Sequence, residues 1–341
     1  MELRLSNLAK TYPASGIRKM FDLAAGYDDV IALTLGEPNF ETPAYIKEAA
    51  KKALDENYTH YAPNAGLPVL REAIAKRYQK SHWAGYKAEN VIVTVGALEG
   101  LTLGMLALLN PGDEVLIPQP SYVSYTPCAI MAGGVPVPIE LEEKDEFRLT
   151  PEKLLEKITP KTKLLVLPFP NNPTGAIMEK EDLEKLVPII EEHDLYVLSD
   201  EIYAELTYKG EMHSIIEFPG MRDRTVYING FSKAYAMTGW RLGYCCAPKP
   251  ILKQILKLHQ FAIMCAPTTS QYAAVEALKN GDEDIARMRE AYDQRRRFLV
   301  ARLREIGMDC FEPYGAFYVF PSIKRFGMSS EEFANRLLRE E

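Results

Sequence analysis

The sequence has few residues that bind metals or form disulfides. There are five histidines, no HExxH motif and no cluster of histidine and cysteine, so no metal site is predicted. The five cysteines are odd in number, form no CxxC pair and are scattered, which is typical of a protein of the reducing cytoplasm. They are Cys128, Cys245, Cys246, Cys265 and Cys310.

The sequence also lacks the long apolar runs of secreted and membrane proteins. The first ten residues, MELRLSNLAK, have no apolar signal core, and the longest apolar stretch, around Leu101–Leu109, is too short to span a bilayer. The net charge of -7 argues against nucleic acid or an anionic membrane as the main partner. We therefore expect a cytoplasmic protein that binds neither nucleic acid nor a membrane.

Seven short apolar runs predict the strands of a sheet. Most of them are apolar on both faces, which indicates a sheet covered on both sides. The runs are Val91–Val95, Glu114–Pro118, Val135–Leu141, Leu164–Phe169, Leu195–Asp200, Thr225–Gly230 and Arg241–Ala247.

Helical patterns lie between and around these strands. Thr42-Pro43 and Thr150-Pro151 each predict a helix start with a capping threonine and a first-turn proline. Apolar residues at helical spacing predict helices over Leu67–His82, Glu179–His193 and Asp282–Arg304. Strands alternating with helices predict an α/β fold, here a three-layer sandwich with a mostly parallel seven-stranded sheet.

The length of 341 residues allows one large domain and a smaller one. From about Asp282 the sequence is mostly helical and charged. We therefore predict a large domain over 39–281 and a smaller α/β domain formed by 1–38 and 282–341. In parallel sheets ligands bind beyond the carboxyl ends of the strands, so the polar residues there are the candidates for function.

The first two candidates are turns that follow strands. Gly96-Ala97-Leu98-Glu99-Gly100 joins a strand to a helix, where backbone N–H groups can bind phosphate, although taken alone these residues favour a plain turn. Pro170–Gly175 is a rigid polar turn in which Asn172 offers a side-chain donor, and its prolines and glycine also suit a purely structural turn.

The next two candidates are an acid and a lysine at strand ends. Asp200 ends a buried strand and needs a partner, which is either a cofactor's protonated ring nitrogen or a helix cap or internal ion pair. Lys233 follows a strand among small and apolar residues, where desolvation favours a nucleophilic amine, although a surface lysine is the alternative. Arg241 lies eight residues further on and could hold a phosphate in a forked geometry.

Taken together, these residues match the needs of one cofactor. Pyridoxal phosphate needs a lysine for a Schiff base, a carboxylate for its ring nitrogen and a cradle for its phosphate. The sequence therefore predicts a pyridoxal-phosphate site that combines Lys233, Asp200, Asn172, Arg241 and the turn at Gly96.

The sequence also resembles the class I/II aminotransferases, pyridoxal-phosphate enzymes of fold type I. The similar stretches follow the family order and extend over nearly the whole chain. They are YAPNAGLPVLREAI (Tyr61–Ile74), PSYVSY (Pro120–Tyr125), NNPTG (Asn171–Gly175), SDEIYAEL (Ser199–Leu206), SKAYAMTGWRLGY (Ser232–Tyr244) and PYGAFYVFP (Pro313–Pro321).

The resemblance implies a role for each matching residue. Lys233 would carry the cofactor as a Schiff base and shuttle a proton, and Asp200 would keep the ring nitrogen protonated. Tyr203 and Asn172 would bind the phenolic oxygen, with Asn172 also near the substrate, and Tyr122 would stack on the ring.

The remaining implied roles concern the phosphate, the substrate and a second subunit. The phosphate ligands would be Gly96, Ala97, Leu98 and Arg241. Gly36 would lie against the substrate. Tyr61 would reach the phosphate of the neighbouring subunit, which implies a homodimer with shared sites.

Two features differ from the family pattern. Many relatives have serine three residues before the lysine, where this sequence has Gly230. Family chains continue past Pro321 to an arginine that grips the substrate carboxylate, and neither Arg336 nor Arg339 has the context of that arginine. We therefore expect an intact cofactor site and an incomplete small domain and substrate site.

The resemblance implies transfer of an amino group between an L-amino acid and a 2-oxo acid by a ping-pong mechanism. A pyridoxal-phosphate β-lyase or decarboxylase is an alternative, because one fold serves several reactions. A non-catalytic cofactor-binding scaffold is a further alternative if the substrate site is incomplete.

Overall fold

The computed structural model describes residues 4–12, 16–27, 30, 31, 33, 36–79 and 86–340. The strands are β1 (Val91–Thr94), β2 (Glu114–Gln119), β3 (Val135–Glu140), β4 (Thr162–Leu167), β5 (Tyr196–Asp200), β6 (Thr225–Gly230) and β7 (Gly243–Cys246). The helices are α1 (Asn7–Thr11), α2 (Gly16–Ala24), α3 (Ala44–Asp55), α4 (Pro68–Gln79), α5 (Gly96–Leu108), α6 (Tyr125–Met131), α7 (Pro151–Lys157), α8 (Lys180–Glu192), α9 (Lys249–Ala262), α10 (Thr268–Asn280), α11 (Asp282–Glu305) and α12 (Ser330–Glu340).

The seven strands form one sheet in the order β1-β7-β6-β5-β4-β2-β3. Strand β7 is antiparallel to both of its neighbours, β1 and β6, and the other neighbouring pairs are parallel. The predicted mostly parallel, seven-stranded sheet is therefore confirmed. Each predicted run overlaps an observed strand, with ends that differ by up to two residues.

Both faces of the sheet are covered, as the doubly apolar strands predict. One core cluster joins the sheet to α5, α6 and α9, and the other joins it to α4, α7, α8 and α10. In β1 the side chains of Val91 and Val93 belong to one cluster and that of Ile92 to the other, which is the alternation of a pleated strand. The result is the predicted three-layer sandwich.

The predicted helix starts have different outcomes. Thr150 caps α7 and accepts a hydrogen bond from the Lys153 backbone N–H at 3.4 Å, as predicted. The cap predicted for Thr42 is wrong, because its hydroxyl donates instead to the carbonyl of Ala236 at 2.5 Å. Helix α4 begins one residue later than predicted, and its predicted end at His82 lies outside the described residues.

The end of the chain and its beginning are joined by an ion pair. Lys19 of α2 and Glu331 of α12 lie 2.6 Å apart. The division into a domain of 39–281 and a domain of 1–38 with 282–341 stays a prediction. None of the helices in the described ranges combines the length and apolar character needed to cross a bilayer.

Candidate active site

Three of the predicted residues follow neighbouring parallel strands and meet at one edge of the sheet. Asn172 lies in the turn after β4, Asp200 is the last residue of β5, and Lys233 follows β6. Because the carboxyl ends of parallel strands lie on the same side, the topology brings these side chains to one edge. The helix α5, whose first turn is the predicted phosphate site, begins after β1 at this edge as well.

Lys233 lies in an apolar, largely closed environment. Its Nζ is 5.6 Å from the ring centroid of Phe317 and 5.8 Å from that of Tyr203, and it donates to the Gly36 carbonyl at 2.5 Å. Burial lowers the pKa of Lys233 to about 8, with the charges of Glu37 and Asp200 opposing the change. This lower pKa makes the neutral, nucleophilic form of the amine more accessible near neutral pH than that of an ordinary lysine, although the protonated form still predominates at pH 7.

Asp200 is 5% exposed and is held by two donors. The hydroxyl of Tyr125 donates to Oδ2 at 2.8 Å, and the backbone N–H of Ile202 donates to Oδ1 at 3.2 Å. Burial raises the pKa of Asp200 to about 6, while these hydrogen bonds and Lys233 act in the opposite direction. The carboxylate is fixed in place and suited to a cationic partner.

A second acid, Glu201, is buried immediately after Asp200. Its Oε1 accepts hydrogen bonds from the hydroxyls of Ser199 at 2.7 Å and Ser214 at 2.5 Å, while its buried Oε2 has no partner among the described residues. Burial raises the pKa of Glu201 to about 8. At neutral pH Glu201 is thus mostly uncharged, so it adds little negative charge beside Asp200.

An anion cradle lies at the start of α5. Gly96 has φ +73°, and the N-cap residue Val95 makes no side-chain hydrogen bond to the first N–H groups of this helix. A Cβ on Gly96 would lie 2.6 Å from Nη2 of Arg241, so the guanidinium packs against the same turn. Arg241 is oriented by a 2.9 Å hydrogen bond from Nη1 to the Thr238 carbonyl. Free N–H groups, a helix N-terminus and an arginine together suit a phosphate.

The structure explains why residue 230 is a glycine. A Cβ on Gly230 would lie 2.9 Å from the Cα of Gly243 and 3.1 Å from the Leu242 carbonyl oxygen on the neighbouring strand. The close approach of β6 and β7 therefore leaves no room for a larger side chain. A serine hydroxyl is therefore not available at this position for binding a phosphate.

The two asparagines of the turn after β4 have different environments. Asn171 is fully buried, and its Oδ1 accepts from the Thr174 backbone N–H at 3.1 Å and from the Thr174 hydroxyl at 2.9 Å. Asn171 thus stabilises the turn itself, and Asn172 is the partly exposed member of the pair. This division supports Asn172, rather than Asn171, as the residue that contacts a ligand.

Tyr122 and Tyr61 occupy contrasting positions. The ring of Tyr122 packs edge-on against that of Tyr125, with centroids 5.7 Å apart, and the hydroxyl of Tyr125 in turn donates to the Asp200 carboxylate. Tyr61 is 82% exposed and contributes little to the core of its own chain. Its contact with a neighbouring subunit stays a prediction.

The structure adds two tyrosines that the sequence did not single out. Tyr125 binds Asp200, and the hydroxyl of Tyr318 lies 2.5 Å from that of Tyr203. A Cβ on Gly36 would overlap the Tyr318 hydroxyl, so Tyr318 links the Gly36 segment to Tyr203. Both tyrosines lie in stretches that resemble the family, but their partners are distant in sequence.

The cluster fits pyridoxal phosphate in each part. It supplies a desolvated amine, a buried carboxylate, a helix start that suits an anion and a tyrosine ring beside the amine. Within the described residues, no group of three or more histidine, cysteine and acidic side chains is placed to hold a metal ion.

Comparison with known proteins gives the same result. The sequence matches the family described as aminotransferase class I and II over residues 28–341. It is 46% identical over 330 residues to the aspartate aminotransferase of Pyrococcus abyssi, covering 96% of this chain and 85% of that protein. It is 43% identical over 344 residues to aromatic-amino-acid aminotransferase 2 of Thermococcus litoralis, covering 99% of this chain and 88% of that protein.

A solved structure supports the fold directly. The structure of aspartate aminotransferase from Thermus thermophilus with maleate superposes with a TM-score of 0.94 at 39% identity, covering 99% of this chain and 90% of that one. The matching family, the relatives and the shared fold lead to one conclusion. The chain belongs to the class I and II aminotransferases, enzymes that transfer amino groups with pyridoxal phosphate.

Proposed function

We propose that Lys233 holds pyridoxal phosphate covalently through Nζ and moves the proton during transfer of an amino group between an L-amino acid and a 2-oxo acid. The observation that carries this proposal is the desolvated Lys233 amine at the same sheet edge as the buried Asp200 carboxylate. When bound, the cofactor supplies an electron-accepting ring to the substrate Cα.

The surrounding residues bind and orient the cofactor. Asp200 would face the ring nitrogen and stabilise its positive charge. Arg241 and the first N–H groups of α5 would hold the phosphate, because both lie against Gly96. Tyr203 and Asn172 would donate to the phenolic oxygen.

Two further contacts are part of the proposed site. Tyr122 would cover one face of the ring, since it already packs beside the Asp200 region through Tyr125. Gly36 would face the substrate, because its carbonyl accepts a hydrogen bond from the Lys233 amine. The lack of a Cβ at Gly36 also leaves room for Tyr318.

Proton transfer is the second task of Lys233. Its Nζ would take the proton from the substrate Cα and deliver it to C4′ of the cofactor. Burial lowers the pKa of Lys233 to about 8, which favours an amine that both accepts and releases a proton near neutral pH. The two half-reactions, with amino acid and then with 2-oxo acid, would use this same amine in a ping-pong mechanism.

The experiment compares Lys233→Ala with Lys185→Ala, a change at an exposed lysine of α8. K233A should give no visible absorbance band on addition of pyridoxal phosphate and no amino transfer, whereas K185A should match the unchanged protein. The donor panel should include aspartate and aromatic amino acids, because the relatives are named for both. Transfer by K233A at the original rate would refute the proposal.

The same panel separates transfer from the other reactions of this fold. Release of ammonia and pyruvate from cysteine-like substrates without a 2-oxo acid acceptor would indicate a β-lyase, and loss of carbon dioxide would indicate a decarboxylase. Amino transfer predicts instead that product forms only when both an amino donor and a 2-oxo acid are present.

We also propose a homodimer in which Tyr61 reaches the phosphate of the neighbouring site. Tyr61 is 82% exposed, and Phe261 of the neighbouring segment is 89% exposed. Asn64 donates to the Met264 carbonyl at 2.8 Å, which joins these two apolar segments into one surface. Mixing the Y61F and K233A proteins tests this arrangement. In a mixed dimer with shared sites, one site receives an intact Lys233 from one subunit and an intact Tyr61 from the other, while the second site carries both changes.

The location and the domain division belong to the same proposal. Five free cysteines support a reducing cytoplasm. The ion pair between Lys19 and Glu331 supports a small domain that combines the N-terminal arm with the last helix. Limited proteolysis with cleavage near residues 39 and 281 would test that division.

A further inference from the structure

Tyr125 makes a buried hydrogen bond to the acid of the proposed cofactor site. It is the first residue of α6, is 3% exposed, and donates from its hydroxyl to Oδ2 of Asp200 at 2.8 Å. Asp200 itself is 5% exposed. A hydrogen bond between two groups removed from water is strong, and it is costly to lose one partner.

The direction of this hydrogen bond decides what it does. An ionised carboxylate only accepts hydrogen bonds, so the Tyr125 hydroxyl must be the donor. Donation to the carboxylate favours the ionised form of Asp200, whereas burial favours the protonated form. Tyr125 thus opposes the effect of burial. The Ile202 N–H also favours the ionised form of Asp200, because it donates to the other carboxylate oxygen.

We propose that Tyr125 is a positioning residue that keeps Asp200 ionised and correctly oriented, so that the shared proton resides on the ring nitrogen of the cofactor. This inference rests on the proposed function, in which Asp200 faces that nitrogen. Without the Tyr125 hydroxyl, the proton moves toward Asp200 and the pair becomes neutral. The ring then loses the positive charge that makes it electron-accepting.

Tyr125 also connects Asp200 to the proposed stacking residue. The ring of Tyr122 meets that of Tyr125 edge-on, at an interplanar angle of 84°. Replacement of Tyr125 by phenylalanine keeps this ring contact and removes only the hydroxyl. The Y125F variant therefore separates the hydrogen bond to Asp200 from the packing of Tyr122.

The experiment measures the cofactor rather than the reaction. Pyridoxal phosphate labelled with 15N in the ring is bound to the unchanged protein, to Y125F and to Y86F, and the nitrogen chemical shift reports the ring proton. Tyr86 is a suitable control, because it is also buried, and its hydroxyl has no partner among the described residues. Titration of each cofactor-free protein with pyridoxal phosphate gives the Kd.

We expect the ring nitrogen to be protonated in the unchanged protein and in Y86F, and to shift toward the neutral pyridine value in Y125F. The Kd of Y125F should rise roughly tenfold, which is the effect of one hydrogen bond to a charged group. Y125H supplies an N–H donor in an aromatic ring, so its nitrogen shift should stay near that of the unchanged protein.

The outcomes distinguish this inference from the proposed function. Failure of the unchanged protein to bind pyridoxal phosphate would refute the proposed function. If the ring nitrogen is protonated in the unchanged protein, and Y125F shows the same nitrogen shift and the same Kd, the proposed role of Tyr125 is refuted while the proposed function stands. If Y125F does not fold, a neutral nitrogen in folded Y125H would overturn it as well.

Discussion

The buried acid Glu201 gives a prediction about stability that depends on pH. Its side chain is held by the hydroxyls of Ser199 and Ser214, and burial raises its pKa from 4.5 to about 8, with Glu217 and Asp200 adding to the effect. Replacement by glutamine keeps the oxygen that accepts both hydroxyls. The amide group takes the place of the protonated oxygen, so the E201Q variant mimics the neutral acid.

The sign of the effect follows from the two states of the chain. Below pH 4.5 Glu201 is protonated in both the folded and the unfolded chain, and pH has no influence through this group. Between 4.5 and about 8 the unfolded chain has lost the proton and the folded protein has kept it. The free energy of unfolding therefore falls as pH rises through this window and levels off above it.

The magnitude follows from the size of the pKa difference. Each unit of pKa difference corresponds to ~1.4 kcal/mol. Between about pH 5 and pH 8 the unchanged protein should therefore lose about 3 kcal/mol that E201Q does not lose, after allowance for partial titration at both ends. Titrating groups that do not interact with Glu201 are common to both proteins and cancel in the difference.

Urea unfolding of the cofactor-free proteins at a fixed protein concentration measures this difference. The E201Q variant should become more stable relative to the unchanged protein as pH rises from about 5 to 8. Glu184→Gln changes an exposed acid of α8 and should show no such trend. Parallel pH dependences for E201Q and the unchanged protein would refute a neutral, buried Glu201.

Three further predictions concern the cofactor site. Covalent capture of pyridoxal phosphate by the cofactor-free protein should become faster as pH rises through about 8, because Lys233 loses its proton there. Stopped-flow absorbance measures the rate of capture. A rate that stays constant from about pH 6 to 9 would contradict this prediction. R241K should raise the cofactor Kd roughly tenfold in an absorbance titration, because lysine lacks the forked geometry that grips a phosphate, and an unchanged Kd would exclude Arg241 as a ligand. G230S should lower the free energy of unfolding by about 1–3 kcal/mol in urea, because its Cβ meets Gly243, and unchanged stability would show that β6 and β7 can separate.

The strands were predictable because their signal is local. Runs such as Thr225–Gly230 are apolar on both faces, and a strand covered on both sides requires that pattern. Each predicted run overlaps an observed strand, and the errors lie at the ends, as for the strand predicted from Leu164 and observed from Thr162. Parallel topology then placed Asp200 and Lys233 at one edge without knowledge of any contact.

Contacts between distant residues were not predictable in the same way. Tyr125 and Asp200 are 75 residues apart, and Tyr203 and Tyr318 are 115 apart. The residues around a tyrosine do not indicate which distant group its hydroxyl binds. In the sequence these tyrosines were therefore recognisable only as parts of stretches that resemble the family. The cap wrongly predicted for Thr42 failed for the same reason, because its hydroxyl binds the carbonyl of Ala236, 194 residues away.

Glu201 and Gly230 show a further limit. Glu201 is held by a hydrogen bond from Ser214, which lies at the end of β5 only in the folded chain. Residue 230 must be glycine because the Cα of Gly243 on the neighbouring strand lies close to it. Both features depend on packing between segments that are not adjacent in the sequence. The sequence identified Gly230 as unusual, and the structure gave the reason.

The central claim, reversible amino transfer at Lys233, is tested most directly by an absorbance spectrum of the protein with pyridoxal phosphate. An amino acid donor should remove the visible band and produce the near-ultraviolet band of the aminated cofactor, and addition of 2-oxoglutarate should restore the first band. A visible band that responds to no amino acid in the panel would contradict the account, because it would show that the cofactor is bound without amino transfer.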